Sequence, residues 1–336
     1  MHYFPQHSMG PETLITAGLV TFAVLGFLAY LGTRQAPPVL AWTQGTLFET
    51  DSLGTLRVGE QLGVGRNALV LNVSQEPAGL HYAAKVRDLR WEESRGQLAR
   101  EAAVLTALNT TDGFPRIYGS YPGRGFFVME LLEDAVPLSR FARGEFPLEI
   151  HEIVTQLISR LEAVHAAGFI HADVHRRNVL VSDGKVFLID FGLALSLAES
   201  RVPQFVNLFV GSVHEQMRDA LHPVDDIQRL VYVVIHQFYA DLPWADLYSL
   251  RDKLERDHVC GKVCLLVEES ILMKKLDLAG AVRYFAQNQI PQQLRTMLKY
   301  VSGSSRKLDE PINYAFLKSL WSQGEGIDET DLPDSP

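Results

Sequence analysis

Residues 171–192, HADVHRRNVLVSDGKVFLIDFG, hold two carboxylates and an amide whose types and spacing suit one chemistry: Asp173, Asn178 five residues on, and Asp190 opening Asp190-Phe191-Gly192. Moving a phosphoryl group asks little covalent chemistry of a protein. It needs a carboxylate to orient the attacking hydroxyl and oxygen ligands to hold a divalent cation on the phosphates. Asp173 suits the first task, and Asn178 with Asp190 the second. Val179-Leu180-Val181 and Val186-Phe187-Leu188-Ile189 flank Ser182-Asp183-Gly184, so a short hairpin is predicted that brings both ends of the stretch to one place. A lone Asp-Phe-Gly arises by chance; Asp-x₄-Asn, a hairpin and then Asp-Phe-Gly is a specific signal.

Other elements must bring a nucleotide to these groups. Residues 56–75 alternate apolar and polar positions around Gly63-Val64-Gly65, which predicts two strands joined by a turn whose backbone amides approach phosphates. Lys85, in Tyr82-Ala83-Ala84-Lys85-Val86, falls on a predicted strand. Sixteen residues on, Glu101 sits in a stretch with Leu98, Ala102, Leu105 and Leu108 at helical spacing. Glu92 and Glu93 precede that apolar face, so Glu101 is the expected partner of Lys85. Phe126 to Leu132 reads as a buried strand ending in a polar residue. Leu148 to Gly168, apolar at 150, 154, 157, 158, 161 and 164, reads as a helix leading into the stretch around Asp173.

Taken together these motifs resemble the protein kinase superfamily. The resemblance implies an α+β, bilobal protein-kinase-like fold over residues 53–322, with a small β-rich N-lobe (53–132) and a larger helical C-lobe (133–322). It implies ATP and Mg²⁺ as cofactors, a protein substrate, Asp173 as the base, and Asn178 and Asp190 as metal ligands. Lys85, paired with Glu101, would point at the α- and β-phosphates. Leu62, Gly63, Gly65, Val70, Ala83, Lys85, Met129, Glu130 and Leu132 would line the nucleotide site, with Met129 behind the adenine and Glu130 to Leu132 offering backbone groups to its edge. His171 would orient the loop by packing.

The chain departs from the family pattern at several places. Ala68 stands for the third glycine of the phosphate turn, and Asn67 where an aromatic residue often caps it. Ala172 stands for the arginine that receives an activation-loop phosphate, which implies activity independent of that modification. His175 replaces the lysine that steadies the transferred phosphate. His-x-Asp-x-His-x-x-Asn is typical of small-molecule phosphotransferases of the aminoglycoside and choline kinase type, and it resembles the ubiquinone-associated atypical kinases. Further on, Gly211-Ser212, Asp225-Asp226-Ile227 and Leu242-Pro243-Trp244 resemble the casein-kinase-one and vaccinia-related kinase group, in which Asp226 would grip the catalytic-loop backbone. The expectation is therefore a serine/threonine protein kinase. The rivals are a small-molecule or lipid phosphotransferase and a pseudokinase scaffold.

The net charge of −9 argues against nucleic acid as a partner. Cys260 and Cys264, the two cysteines, read as free thiols on one helix face. After a short segment 1–12, residues 13–33 carry no charge, and about 20 apolar residues suffice to cross a bilayer, so a transmembrane helix is expected there. Arg34, with no basic residue before the span, favours a cytoplasmic kinase domain on a single-pass membrane protein. Residues 34–52 read as a linker and 323–336 as an acidic disordered tail. The sequons Asn72-Val73-Ser74 and Asn109-Thr110-Thr111 would be silent in a cytoplasmic domain.

Overall fold

The computed structural model describes residues 42–65, 68–87, 94–199, 202–302 and 310–322. The expected span at 13–33, most of the linker, Asn67 and the acidic tail lie outside the described residues. Among the described residues no helix is long and apolar enough to cross a membrane.

The N-terminal half is built on six antiparallel strands: β1 (Leu47–Thr50), β2 (Gly54–Val64), β3 (Ala68–Gln75), β4 (His81–Arg87), β5 (Ile117–Tyr121) and β6 (Phe126–Met129). They lie in the order β1-β2-β3-β4-β6-β5. β1 falls in the stretch read as linker; its pairing of Phe48 with Leu56 extends the sheet by one strand. The period-two alternation of the strands gives the sheet two unlike faces. Leu56, Val58, Leu71, Val73, Ala84, Val86, Phe126 and Val128 are buried, and across β3, β4 and β6 the register stacks Leu71, Ala84 and Val128 on one face. The same register puts Val70 opposite Lys85 and Ala83 opposite Met129 on the other. Among the described residues of this half, the α-helix α1 (Ser94–Ala107) buries Leu98, Ala102 and Leu105, with Leu108 just past its end.

In the C-terminal half the predicted helix is α2 (Ile150–Ala166), started by a capping box in which the Glu149 amide donates to the Glu152 carboxylate at 3.1 Å. Its Val154, Leu157, Ile158, Leu161 and Val164 are fully buried. A small sheet joins β7 (Val136–Pro137) to the predicted hairpin, β9 (Val179–Ser182) with β10 (Lys185–Leu188), while β8 (Phe169–Ile170) pairs with β11 (Leu195–Ser196). Asp183 and Gly184 form the two-residue hairpin turn, both at positive φ (47° and 69°), the conformation that favours an Asp-Gly pair.

Seven further helices complete this half among the described residues: α3 (Val213–Met217), α4 (Pro223–Val234), α5 (Ala245–Arg256), α6 (Gly261–Leu276), α7 (Leu278–Gln287), α8 (Gln292–Ser302) and α9 (Tyr314–Ser322). α4 starts with proline in its first turn and a capping box between His222 and Asp225, and its residues from Val224 onward are buried. After a π-helical turn over Ile235–Tyr239, Trp244 is fully buried, its indole N–H donating to the Phe209 carbonyl at 2.7 Å. One expectation is corrected here: Cys260 and Cys264 are not free thiols but form a disulfide across the first turn of α6. The four-residue spacing that suggested neighbouring thiols on one helix face is what lets the two sulfurs meet.

Leu157 and Leu265 should separate core from surface. Leu157→Ala, at a fully buried position, is expected to lower the unfolding free energy by about 2–5 kcal/mol in urea titrations. Leu265→Ala, on a side chain 65% exposed, should stay within about 0.5 kcal/mol of the parent.

Candidate active site

Asp173 sits in the irregular loop between β8 and β9, and buried backbone in such a loop needs partners from outside. Asp226, in the first turn of α4, supplies them. Its Oδ2 accepts from the His171 amide at 2.7 Å and its Oδ1 from the Ala172 amide at 3.0 Å. The His165 ring lies 2.9 Å from the same Oδ2 and hydrogen-bonds through its other nitrogen to the Tyr314 hydroxyl. Burial would raise the Asp226 carboxyl, but the bond and field of His165, with His171 beside it, hold it below the ordinary carboxylate range. His171 is itself buried, and that burial keeps its ring pKa below the usual histidine value. Its Nδ1 accepts from the Asp173 amide at 3.2 Å and its Nε2 donates to the Ile189 carbonyl at 3.1 Å. A neutral ring thus ties the residue before Asp190 to the backbone of Asp173.

The carboxylate of Asp173 is a fifth exposed. Asn178 Nδ2 donates to the Asp173 carbonyl at 3.0 Å and reaches Oδ2 at 3.3 Å. His175 is steered by its own loop: Nδ1 accepts from the Arg177 and Asn178 amides at 3.1 and 3.3 Å, which leaves the proton on Nε2, 3.6 Å from Asp173 Oδ2. Where the family resemblance implied an arginine, Ala172 takes φ of 60° and packs with buried Ile170 and Leu221. An apolar cluster fills that position.

Lys85 joins the two halves. Its Nζ lies 2.6 Å from Glu101 Oε2 and 3.1 Å from Asp190 Oδ1. Burial works against the ammonium, but the two carboxylates outweigh it and keep the amine protonated above its ordinary range. Burial pushes Glu101 up to about 7 against the pull of Lys85. The Lys85 charge holds Asp190 down. Asp190 takes φ of 64°, and Gly192 leaves it room: a Cβ there would lie 3.3 Å from Asp190 Oδ1. Arg100 on α1 donates to the Gly192 carbonyl at 3.0 Å, a second tether between α1 and this loop that the sequence did not single out.

The remaining expected nucleotide contacts share the cleft side of the sheet. Val70, Ala83, Lys85 and Met129 lie on one face by register, and Gly63 pairs with Val70 at the phosphate turn. Gly65 donates to the Ala68 carbonyl at 2.8 Å, closing the turn. Leu62 is exposed beside it. At the connection between halves the Glu130 amide donates to the Arg116 carbonyl at 2.7 Å, and its carboxylate accepts from the Arg116 amide. Glu130 therefore offers an adenine edge only its carbonyl, and the amide of the pair expected there falls to Leu132.

The donor set suits a hard divalent cation. Asn178 spends Nδ2 on Asp173, which leaves Oδ1, and Asp190 spends Oδ1 on Lys85, with its side chain 44% exposed towards the cleft. A small cation that takes few protein oxygens and completes its shell with phosphates and water fits this arrangement.

Two buried residues close to Asp173 escaped the sequence reading besides Arg100. Glu215 on α3 and Arg229 on α4 are buried and paired through Arg229 Nη2 and Glu215 Oε2. The signal for Arg229 was its place three residues after Asp226, on the same helix face.

Acid should weaken nucleotide binding through Glu101. As pH falls through about 7 its carboxylate takes up a proton and loses its charge attraction for Lys85, so the KM for ATP is expected to rise several-fold from about pH 8 to about pH 6. Glu101→Gln should show a raised KM with no such pH dependence.

The family model for the protein kinase domain matches residues 56–214. Among solved structures, the chain is similar in fold to vaccinia related kinase 3, at 16% identity and a TM-score of 0.58 over 83% of this chain and 90% of that one. The sequence match covers Lys85, Glu101, Asp173, Asn178 and Asp190, the groups that meet in the cleft. A chain with that domain and that convergence of charges is an ATP-dependent phosphotransferase.

Proposed function

We propose that the chain is a membrane-anchored serine/threonine protein kinase whose kinase-like domain spans residues 53–322 and whose activity does not wait on phosphorylation of its activation segment. One observation carries the enzymatic part: Lys85 lies between Glu101 and Asp190 while Asn178 engages Asp173, so phosphate-binding and hydroxyl-orienting groups are assembled together. Lys85, held protonated, binds the α- and β-phosphates. Asn178 and Asp190 would hold Mg²⁺, which would supply neutralisation of phosphate charge. Asp173 accepts the hydrogen bond of the substrate hydroxyl and directs its lone pair at the γ-phosphorus. The apolar packing of Ala172 with Ile170 and Leu221, where the resemblance implies an arginine, supports independence from loop phosphorylation.

A second reading comes from His175. Its Nε2 beside Asp173 puts an imidazole where a lysine stands in serine/threonine kinases, an arrangement suited to a small-molecule or lipid hydroxyl as acceptor. Labelled ATP, offered to the purified chain with cell extract and membranes, should leave its label in protein. Label confined to organic-extractable material would select this second reading. Asp173→Asn is expected to lower kcat by about 10²–10⁴ with ATP binding retained. Binding of Mg·ATP without any turnover by the parent chain would point to a scaffold.

The anchor at 13–33 and the cytoplasmic side rest on the uncharged run and on Arg34. The Cys260–Cys264 disulfide speaks for the opposite side, since such bonds persist in oxidising compartments. Endoglycosidase treatment of the native chain decides between them: no change in mass is expected for a cytoplasmic domain, and a shift at Asn72 or Asn109 would place it in the lumen.

A further inference from the structure

Arg229 is 1% exposed and its guanidinium divides between two carboxylates. Nη2 binds Glu215 Oε2, while Nη1 points at Asp173 Oδ1 from 3.8 Å. Nε and Nη1 have no hydrogen-bond partner among the described residues. Burying a cation with donors unspent is costly, so a buried arginine that stops just short of a second carboxylate needs an explanation beyond its first ion pair. The two oxygens of Asp173 face different ways. Oδ1 meets Arg229, and Oδ2 meets Asn178 at 3.3 Å and His175 at 3.6 Å on the cleft side.

Glu215 links this pair to the segment that follows Asp190. Its carboxylate accepts from the Asn207 amide, its own amide donates to Ser212 Oγ at 3.1 Å, and Lys275 donates to the Gly211 carbonyl at 2.7 Å. Burial raises the Glu215 carboxyl, Arg229 pulls it back, and burial brings Lys275 down to about 7. Charges of both signs are therefore packed under the end of the activation segment with Arg229 at their centre.

We propose that Arg229 is a positioning residue for phosphoryl transfer. It holds Asp173 by Oδ1 so that Oδ2 meets the substrate hydroxyl, and through Glu215 it ties that orientation to a carboxylate of the chain itself, in the place of an added phosphate. This deepens the phosphotransferase reading and rests on it. The Nη1–Oδ1 gap is short enough to close when substrate draws Asp173 into line, as catalytic contacts commonly tighten on binding.

The test is a double-mutant cycle in steady-state Mg·ATP turnover by the full chain. Arg229→Met should lower kcat about 30-fold with the KM for ATP within about twofold, and Arg229→Lys should recover part of the loss. In an Asp173→Asn background the same Arg229→Met change should cost less than about threefold, because the group it acts through is already disabled. A loss of equal size in both backgrounds, or one below about threefold in the parent, would overturn the proposal and leave Arg229 a structural ion-pair partner. If circular dichroism shows Arg229→Met unfolded, Glu215→Gln takes its place in the cycle. It keeps the side-chain volume, removes the charge that anchors the guanidinium, and is held to the same contrast between backgrounds. Absence of turnover in the parent chain is a different result: it removes the phosphotransferase reading itself, and this inference with it.

Discussion

The buried carboxylate of Asp226 is the constraint on which the site depends. An irregular loop such as the one that carries Asp173 cannot pair its own amides in a sheet or helix, and an unpaired buried amide is expensive. Asp226 meets two of them, at His171 and Ala172, and is held ionised below by His165 and by the helix start on which it sits. Since α4 is buried along almost its whole length, the carboxylate is fixed to a helix embedded in the core. The position of Asp173 is thereby inherited from the core.

Lys85 makes the complementary connection. A buried ammonium between two carboxylates favours one arrangement of three elements: β4, α1 and the loop at Asp190. Each partner is anchored independently, Glu101 by the buried face of α1 and Asp190 by a left-handed backbone that Gly192 accommodates. His171 closes the circuit by bonding to both the Asp173 amide and the Ile189 carbonyl. The elements carrying Lys85, Asp173 and Asp190 are therefore coupled through short, part-buried contacts.

The departures from the family pattern are consistent with one another once seen in three dimensions. Loss of the loop arginine at Ala172 is matched by apolar packing at the same point, and an arginine reaches the base from below, out of α4. Its counter-charge, Glu215, belongs to the covalent chain. A carboxylate of the chain itself thus completes this ion pair.

Much of this was legible in the residues alone, because it depends on local rules. The hairpin follows from an Asp-Gly pair between β-type runs, α1 and α2 from apolar positions at helical spacing, and the Lys85–Glu101 pair from a strand lysine and a helix face. What the chain could not disclose were contacts between groups far apart in sequence with no periodic signature. Arg229 and Asp173 lie 56 residues apart and meet only because α4 runs beneath the loop. The Cys260–Cys264 bond likewise depended on how the first turn of α6 is wound, since the same spacing serves two thiols equally well. Periodicity and turn chemistry are encoded residue by residue, whereas the pairing of isolated charges is set by how finished elements pack.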